Sequence, residues 1–162
     1  MSIFYKGQEI KNVTLNMLYD LFRSVGSSNT IIQTTTIGDI FEVDLVETKY
    51  PLLHIGTETA TYDTSSLTYT FQFIVMDLVK KDESNEEEVL SDMLQVIGDV
   101  LSVLLNSDFD DDFLDFRQVI QIQQNITCEP FTERFDNEVT GWTAGINIVV
   151  EFNASACSGY VA

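Results

Sequence analysis

The sequence predicts an α+β fold: an antiparallel or mixed sheet of four to five strands with two helices packed on one face. Three observations lead there. The run Ser84–Asn106 sets Leu90, Leu94, Ile97, Leu101 and Leu104 at helical spacing, with Met93, Val100 and Leu105 widening the stripe. Ser91, Gln95, Asp99, Ser102 and Asn106 fall on the other side, which makes an amphipathic helix of about six turns. Segments 67–79 and 141–152 alternate apolar and polar residues, the pattern of strands with one covered face. Finally, the elements run helix, strand, hairpin, helix, strand, strand, without the strand–helix alternation of a doubly wound sheet and without an internal repeat. Residues 1–162 are expected to form one structural domain with a short loose C-terminal tail.

The first helix is expected over Thr14–Val25. Thr14 can cap it, Leu15, Leu18, Phe22 and Val25 form its stripe, and Gly26 ends it. Ile31–Ile37 is rich in β-branched residues and reads as a strand broken at Gly38-Asp39. The segment after it, residues 40–47, reads as a loop against the sheet or a small edge strand.

Leu52–Tyr62 and Leu67–Val79 read as one hairpin turning at Asp63-Thr64-Ser65-Ser66. In the second arm Leu67, Tyr69, Phe71, Phe73 and Val75 make one face, and near its end Ile74, Met76 and Leu78 make the other face apolar too. Ser84 with Glu87 fits a capping box for the central helix, and Glu86, Glu87 and Glu88 place negative charge at its positive end.

Phe116–Cys128 reads as a strand ended by Glu129-Pro130, since proline cannot donate to a ladder. Residues 131–140 read as a loop. The last strand, Gly141–Phe152, turns Trp142, Ala144, Ile146, Ile148, Val150 and Phe152 to one side.

Composition narrows function by exclusion. With 26 acids against 8 bases the formal net charge is −18, a poor match for a protein that grips nucleic acid through its phosphates. A hydrophobic content of 44% with eleven Phe argues for a folded core rather than disorder. No apolar run approaches the ~18 residues of a bilayer span, and MSIFYKGQEIKN lacks the marks of a secretory signal. The chain is therefore expected to be made in a cytoplasm, with no membrane contact, or to be assembled there into something larger. Cys128 and Cys157 match no zinc or redox spacing; reduced buried thiols are the reading, and a disulfide between them is the alternative.

Catalytic chemistry has little footing. His54, the one histidine, lies between Leu53 and Ile55 with no partner set nearby and reads as structural. Neither a Gly-rich phosphate loop, an HExxH helix nor a Gly-x-Ser-x-Gly elbow is present. Asp108, Asp110 and Asp112 occupy the first, third and fifth positions of an EF-hand loop, but Phe113 stands where the turn needs Gly and Val119 where the bidentate Glu belongs. That stretch reads as a solvated loop, with calcium on a non-EF carboxylate cluster as the alternative. No enzyme activity and no cofactor is expected.

Several segments in order carry a resemblance. They are Gly38-Asp39 and Tyr50-Pro51-Leu52 within residues 37–55, the strand TFQFIVMDLV at 70–79, the helix VLSDMLQVIGDVLSVL at 89–104, and CEPFTERFDNEVTGWTAGINIVVEF at 128–152. This order resembles the structural proteins of tailed bacteriophages of the tail terminator, tail-completion and neck-ring class. The resemblance implies a sheet with flanking helices and no enzyme activity. It implies a homomeric ring of on the order of six or twelve copies at the head–tail junction of the virion. Such a ring joins portal, connector or neck proteins to tail proteins and lets DNA pass without specific binding.

A head-to-tail ring needs two unlike patches. The candidates are Ile74, Met76 and Leu78 at the end of the hairpin, and Phe131, Arg134, Phe135 and Trp142 near the last strand, since aromatics and Arg are enriched at interface hot spots. Closure of the core edge is the competing role for Phe131 and Trp142. The acids Glu86, Glu87, Glu88, Asp108, Asp110, Asp111 and Asp112 are candidates to face a DNA channel. The alternative function is a soluble non-enzymatic binding or adaptor module, such as a fibre-attachment domain, using the same surfaces without a ring.

Overall fold

The last strand is the spine of the molecule. The computed structural model describes residues 2–39, 48–134 and 138–152. The chain runs β1 (Ile3–Tyr5), β2 (Gln8–Ile10), α1 (Leu15–Ser28), β3 (Thr34–Ile37), β4 (Leu52–Tyr62), β5 (Ser66–Leu78) and α2 (Glu86–Leu105). A 3-10 helix (Asp111–Gln118), β6 (Ile120–Ile122), β7 (Cys128–Arg134) and β8 (Glu138–Glu151) complete it. β8 pairs along its length with β5 on one side; on the other side it takes β6 at Ile148–Val150 and β7 at Glu138–Ala144.

The principal sheet has order β3-β4-β5-β8-β6, with β7 also on β8. All pairs are antiparallel except β3 with β4, so the sheet is mixed. The α+β class holds, but the sheet has six strands rather than four to five, and a two-stranded sheet, β1-β2, is added. That small hairpin turns at Lys6-Gly7, where both residues take positive φ, 51° and 79°. Such a turn matches the twist of the flanking strands.

Both helices lie on one face of the sheet. Leu18, Leu21, Phe22 and Val25 of α1 and Val89, Met93, Val96, Ile97, Val100 and Leu104 of α2 bury against Leu53, Ile55, Phe71, Phe73, Val75, Ala144, Ile146 and Ile148. Phe22 is the keystone, meeting Phe71 and Phe73 edge-on at ring separations of 4.9 and 5.0 Å. The β1-β2 hairpin closes one end of this core. Tyr5 lies against Phe113 and Phe116 of the 3-10 helix, and the Phe4 N–H donates to Asp115 Oδ2 at 2.8 Å.

Several elements differ from the sequence reading. Thr14 does cap α1, its Oγ1 accepting from Met17 N at 3.3 Å, but the helix passes through Gly26 to Ser28. Gly26 serves packing instead: a Cβ there would run into the Thr35 side chain of β3. The expected capping box on α2 is absent. The cap residue is Asn85, whose side chain accepts from Lys80 N, while Ser84 N–H donates to Asp82. In α2 Val89 and Val96 are buried, whereas Leu90 is half-buried and Leu94 exposed, so the inward stripe is rotated slightly from the one centred on leucines.

β3 starts only at Thr34. The expected strand 116–128 is divided between the 3-10 helix, the three-residue β6 and the start of β7. Pro130 does not end a strand; it sits inside β7, opposite Trp142, where an outer strand tolerates a missing N–H. The expected loop 131–140 is largely strand, because β7 continues to Arg134 and β8 begins at Glu138. The expectations for residues 40–47 and for the tail from Asn153 lie outside the described residues.

Candidate functional site

The sheet register decides which candidate interface residues meet. Met76 pairs with Gly141 and Gly141 with Phe131, so a residue without a side chain separates the two larger ones. All three point to the face away from the helices. There Leu52, Ile74, Met76 and Val139 form a second, small apolar cluster, with Tyr50 and Phe131 packed against it. Two patches that look separate in sequence are thus partly one. Ile74 and Met76, named as interface candidates, are only 8% and 4% exposed, so the chain's own sheet already covers most of them. Leu78, at 42%, does reach solvent.

Trp142 belongs to the opposite face. It packs against the main core, and its Nε1–H donates to the Leu90 carbonyl at 2.8 Å, which anchors the first turns of α2. Trp142 and Phe131 therefore do not share a patch, and Trp142 takes the core-closing role. Arg134 ends β7 opposite Glu138; its side chain and all of Phe135 lie outside the described residues.

The candidate acids fall at the two ends of α2, which at 20 residues is about 30 Å long. Glu86, Glu87 and Glu88 fill its first turn. Glu86 accepts from Thr132 Oγ1 at 3.1 Å, while Glu87 and Glu88 are exposed. Asp108, Asp110, Asp111 and Asp112 follow the other end, all exposed. Asp110 accepts from Ser24 Oγ and thereby links this end to α1. Between the groups Asp92 and Asp99 are exposed too, and α2 holds no Lys or Arg.

The first-turn glutamates suit the helix dipole. The aspartates after the C-terminus oppose it, and no basic residue in the last turn offsets them. They instead open the 3-10 helix, with Asp110 at its N-cap position and Asp111 and Asp112 in its first turn. With Asp99, Ser24 and Asn29, Asp108 and Asp110 line an open cavity of about 320 Å³ between the helix ends.

His54 is 2% exposed and fully engaged. Its Nε2–H donates to the Gly38 carbonyl at 2.9 Å, and Nδ1 accepts from the Thr36 hydroxyl at 2.6 Å. Burial lowers its pKa and favours this neutral ring. Neither nitrogen is left for a substrate or a metal. Asp77 is held above the usual carboxylate range, first by burial and further by Asp92, while the Leu78 N–H pulls it back. Asp20 is held low by the Tyr5 hydroxyl, then by Lys6 and Arg23.

Cys128 is a half-buried thiol, pushed up by burial, and Cys157 lies outside the described residues. Among the described residues no group of three or more His, Cys, Asp or Glu is placed to hold a metal ion, and no helix is long and apolar enough to cross a membrane.

One surface feature was not singled out from sequence. The outer half of β4, Thr57–Tyr62, is exposed throughout, and among the described residues no strand pairs with it on the side away from β5. Its Thr-rich composition with few apolar residues, TETATY, was the available signal. No protein-family model matches the sequence and no curated protein is similar to it, so the resemblance to phage junction proteins rests on the quoted motifs alone.

Proposed function

We propose that the chain is a non-enzymatic virion structural protein that forms a homomeric ring at the head–tail junction of a tailed phage. It would be a tail terminator, tail-completion or neck-ring protein that joins connector to tail and lets DNA pass. The observation that carries this reading is the charge of α2. Its solvent side runs for about 30 Å with acids at both ends, acids between them and no base. A surface of that kind repels phosphates, as the wall of a DNA conduit must.

The test is electron cryomicroscopy of intact virions from the source. Density for this chain in a ring at the junction, with α2 toward the channel, is the expected result. Recovery of the chain on a fibre, or outside the particle, would replace this reading with the adaptor module.

A further inference from the structure

Among the described residues, the outer half of β4 is a sheet edge left open. β3 pairs with β4 only from Leu52 to Ile55, whereas β4 stays paired with β5 as far as Tyr62 and Leu67. The direction of the free backbone groups follows from the ladder. Ile55 turns its carbonyl away from β5, toward Gly38 N, and Asp63 turns its N–H toward β5, to the Ser66 carbonyl. One extra residue between Thr57 and Thr59 switches the alternation. Ala60 and Tyr62 therefore present both N–H and C=O outward.

Folded proteins blunt such edges with proline, lysine or inward charge. The opposite border is blunted in that way: β7 carries the exposed Glu129 and Pro130. The β4 border has Glu58 alone and neither proline nor lysine. Its bulge lies at the inner end, so Thr59–Tyr62 remains regular against Leu67–Thr70. In a chain of net charge −18, copies repel wherever acids face one another, and this strip nearly lacks them.

We propose that the β4 edge docks a second copy of the chain, antiparallel and centred on Ala60, so that the two principal sheets become one. The strip is complementary to itself. Centring on Ala60 sets Thr59 opposite Thr61, a favourable cross-strand pair. It holds the two Glu58 positions about 13 Å apart. Outward-facing Ala60 meets outward-facing Ala60, and the two exchange N–H···O=C bonds as the close pair of an antiparallel ladder does. The contact is two-fold and closes on itself. Its symmetry differs from that of a head-to-tail ring contact, and it does not rest on the junction reading.

The test is sedimentation of the purified chain up to millimolar concentration, as wild type, Ala60→Pro and Ala60→Lys, with amide hydrogen exchange of each. Ala60→Pro removes an outward N–H without breaking a β4–β5 bond, and Ala60→Lys sets two ammonium groups face to face. Ala60 is exposed, and unchanged thermal melting verifies that each variant folds.

The expected result is a wild-type dimer whose Kd rises by about tenfold or more in the lysine variant, with Ala60 and Tyr62 amides protected only in the dimer. A monomer throughout would overturn the proposal. So would an oligomer indifferent to Ala60→Lys, or one in which those two amides exchange freely. Protection that appears only on adding another virion protein would assign the edge to that partner instead.

Discussion

Gly141 is held by its neighbours more tightly than any other described glycine. A Cβ there would run into the Val75 carbonyl oxygen and lie 2.8 Å from Met76 Cα, both backbone atoms that cannot swing aside. Gly141→Ala should destabilise the fold by about 3 kcal/mol, measured by denaturant unfolding, although the residue is only a methyl larger. His54 and Asp77 respond to pH with opposite signs. The folded pKa of His54 lies below its unfolded value near 6.5, so its neutral, doubly bonded ring contributes stability above that pH and loses it as pH falls. His54→Gln should flatten the decline between neutral and mildly acidic pH in a melting series.

The folded pKa of Asp77 lies above the ordinary 3.8, so its penalty is absent below that value and grows as pH rises through the folded pKa. Asp77→Asn should therefore raise the melting temperature at neutral pH. The structural role of His54 was legible, because Leu53 and Ile55 flank it. The demand on Gly141 was not, since it arises only when β5 and β8 come into register.

Among elements, α1 is the best specified. Thr14→Ala should cost about 1 kcal/mol through loss of the cap, and Phe22→Ala about 3–5 kcal/mol through the cavity left between Phe71 and Phe73; chemical denaturation of both variants checks the ranking. The same rules read α2 less well. Its apolar residues cover so much of the circumference that Leu90 and Leu94 competed with Val89 and Val96 for the inward position, and only packing on β5 and β8 decided between them. β1 and β2 have three residues each, too short for any periodicity to register, and Lys6-Gly7 is a weaker turn signal than Asn-Gly. Pro130 misled because proline excludes a central strand but not an outer one.

For the whole molecule, charge is the property with the widest reach. If exposed acids of α2 and its flanks repel DNA, replacing Glu87, Glu88, Asp108, Asp111 and Asp112 with Lys should slow genome passage while particles still assemble. Ejection assays on mutant virions check this, and unaltered ejection would remove the channel-lining role. The acidity was legible from composition, and its separation into two clusters along one helix followed from spacing. The placement of the candidate interface residues was legible only in part. Sequence alternation gives the side of a strand to which Ile74, Met76, Phe131 and Trp142 turn, but which of those sides is closed off depends on pairing between residues far apart in the chain.

That distance also bears on biosynthesis. β8 lies between β5 and the β6–β7 border, yet it follows every other described strand in the sequence. Until it arrives, β5 has an unclaimed flank along its whole length, with Phe71, Phe73 and Val75 turned one way and Ile74 and Met76 the other. A nascent chain stopped before Glu138 therefore holds both helices and cannot close its sheet. Closure of the sheet must wait until residues 138–151 have been made, and products truncated before them should be found in the insoluble fraction, bound by chaperones, or degraded.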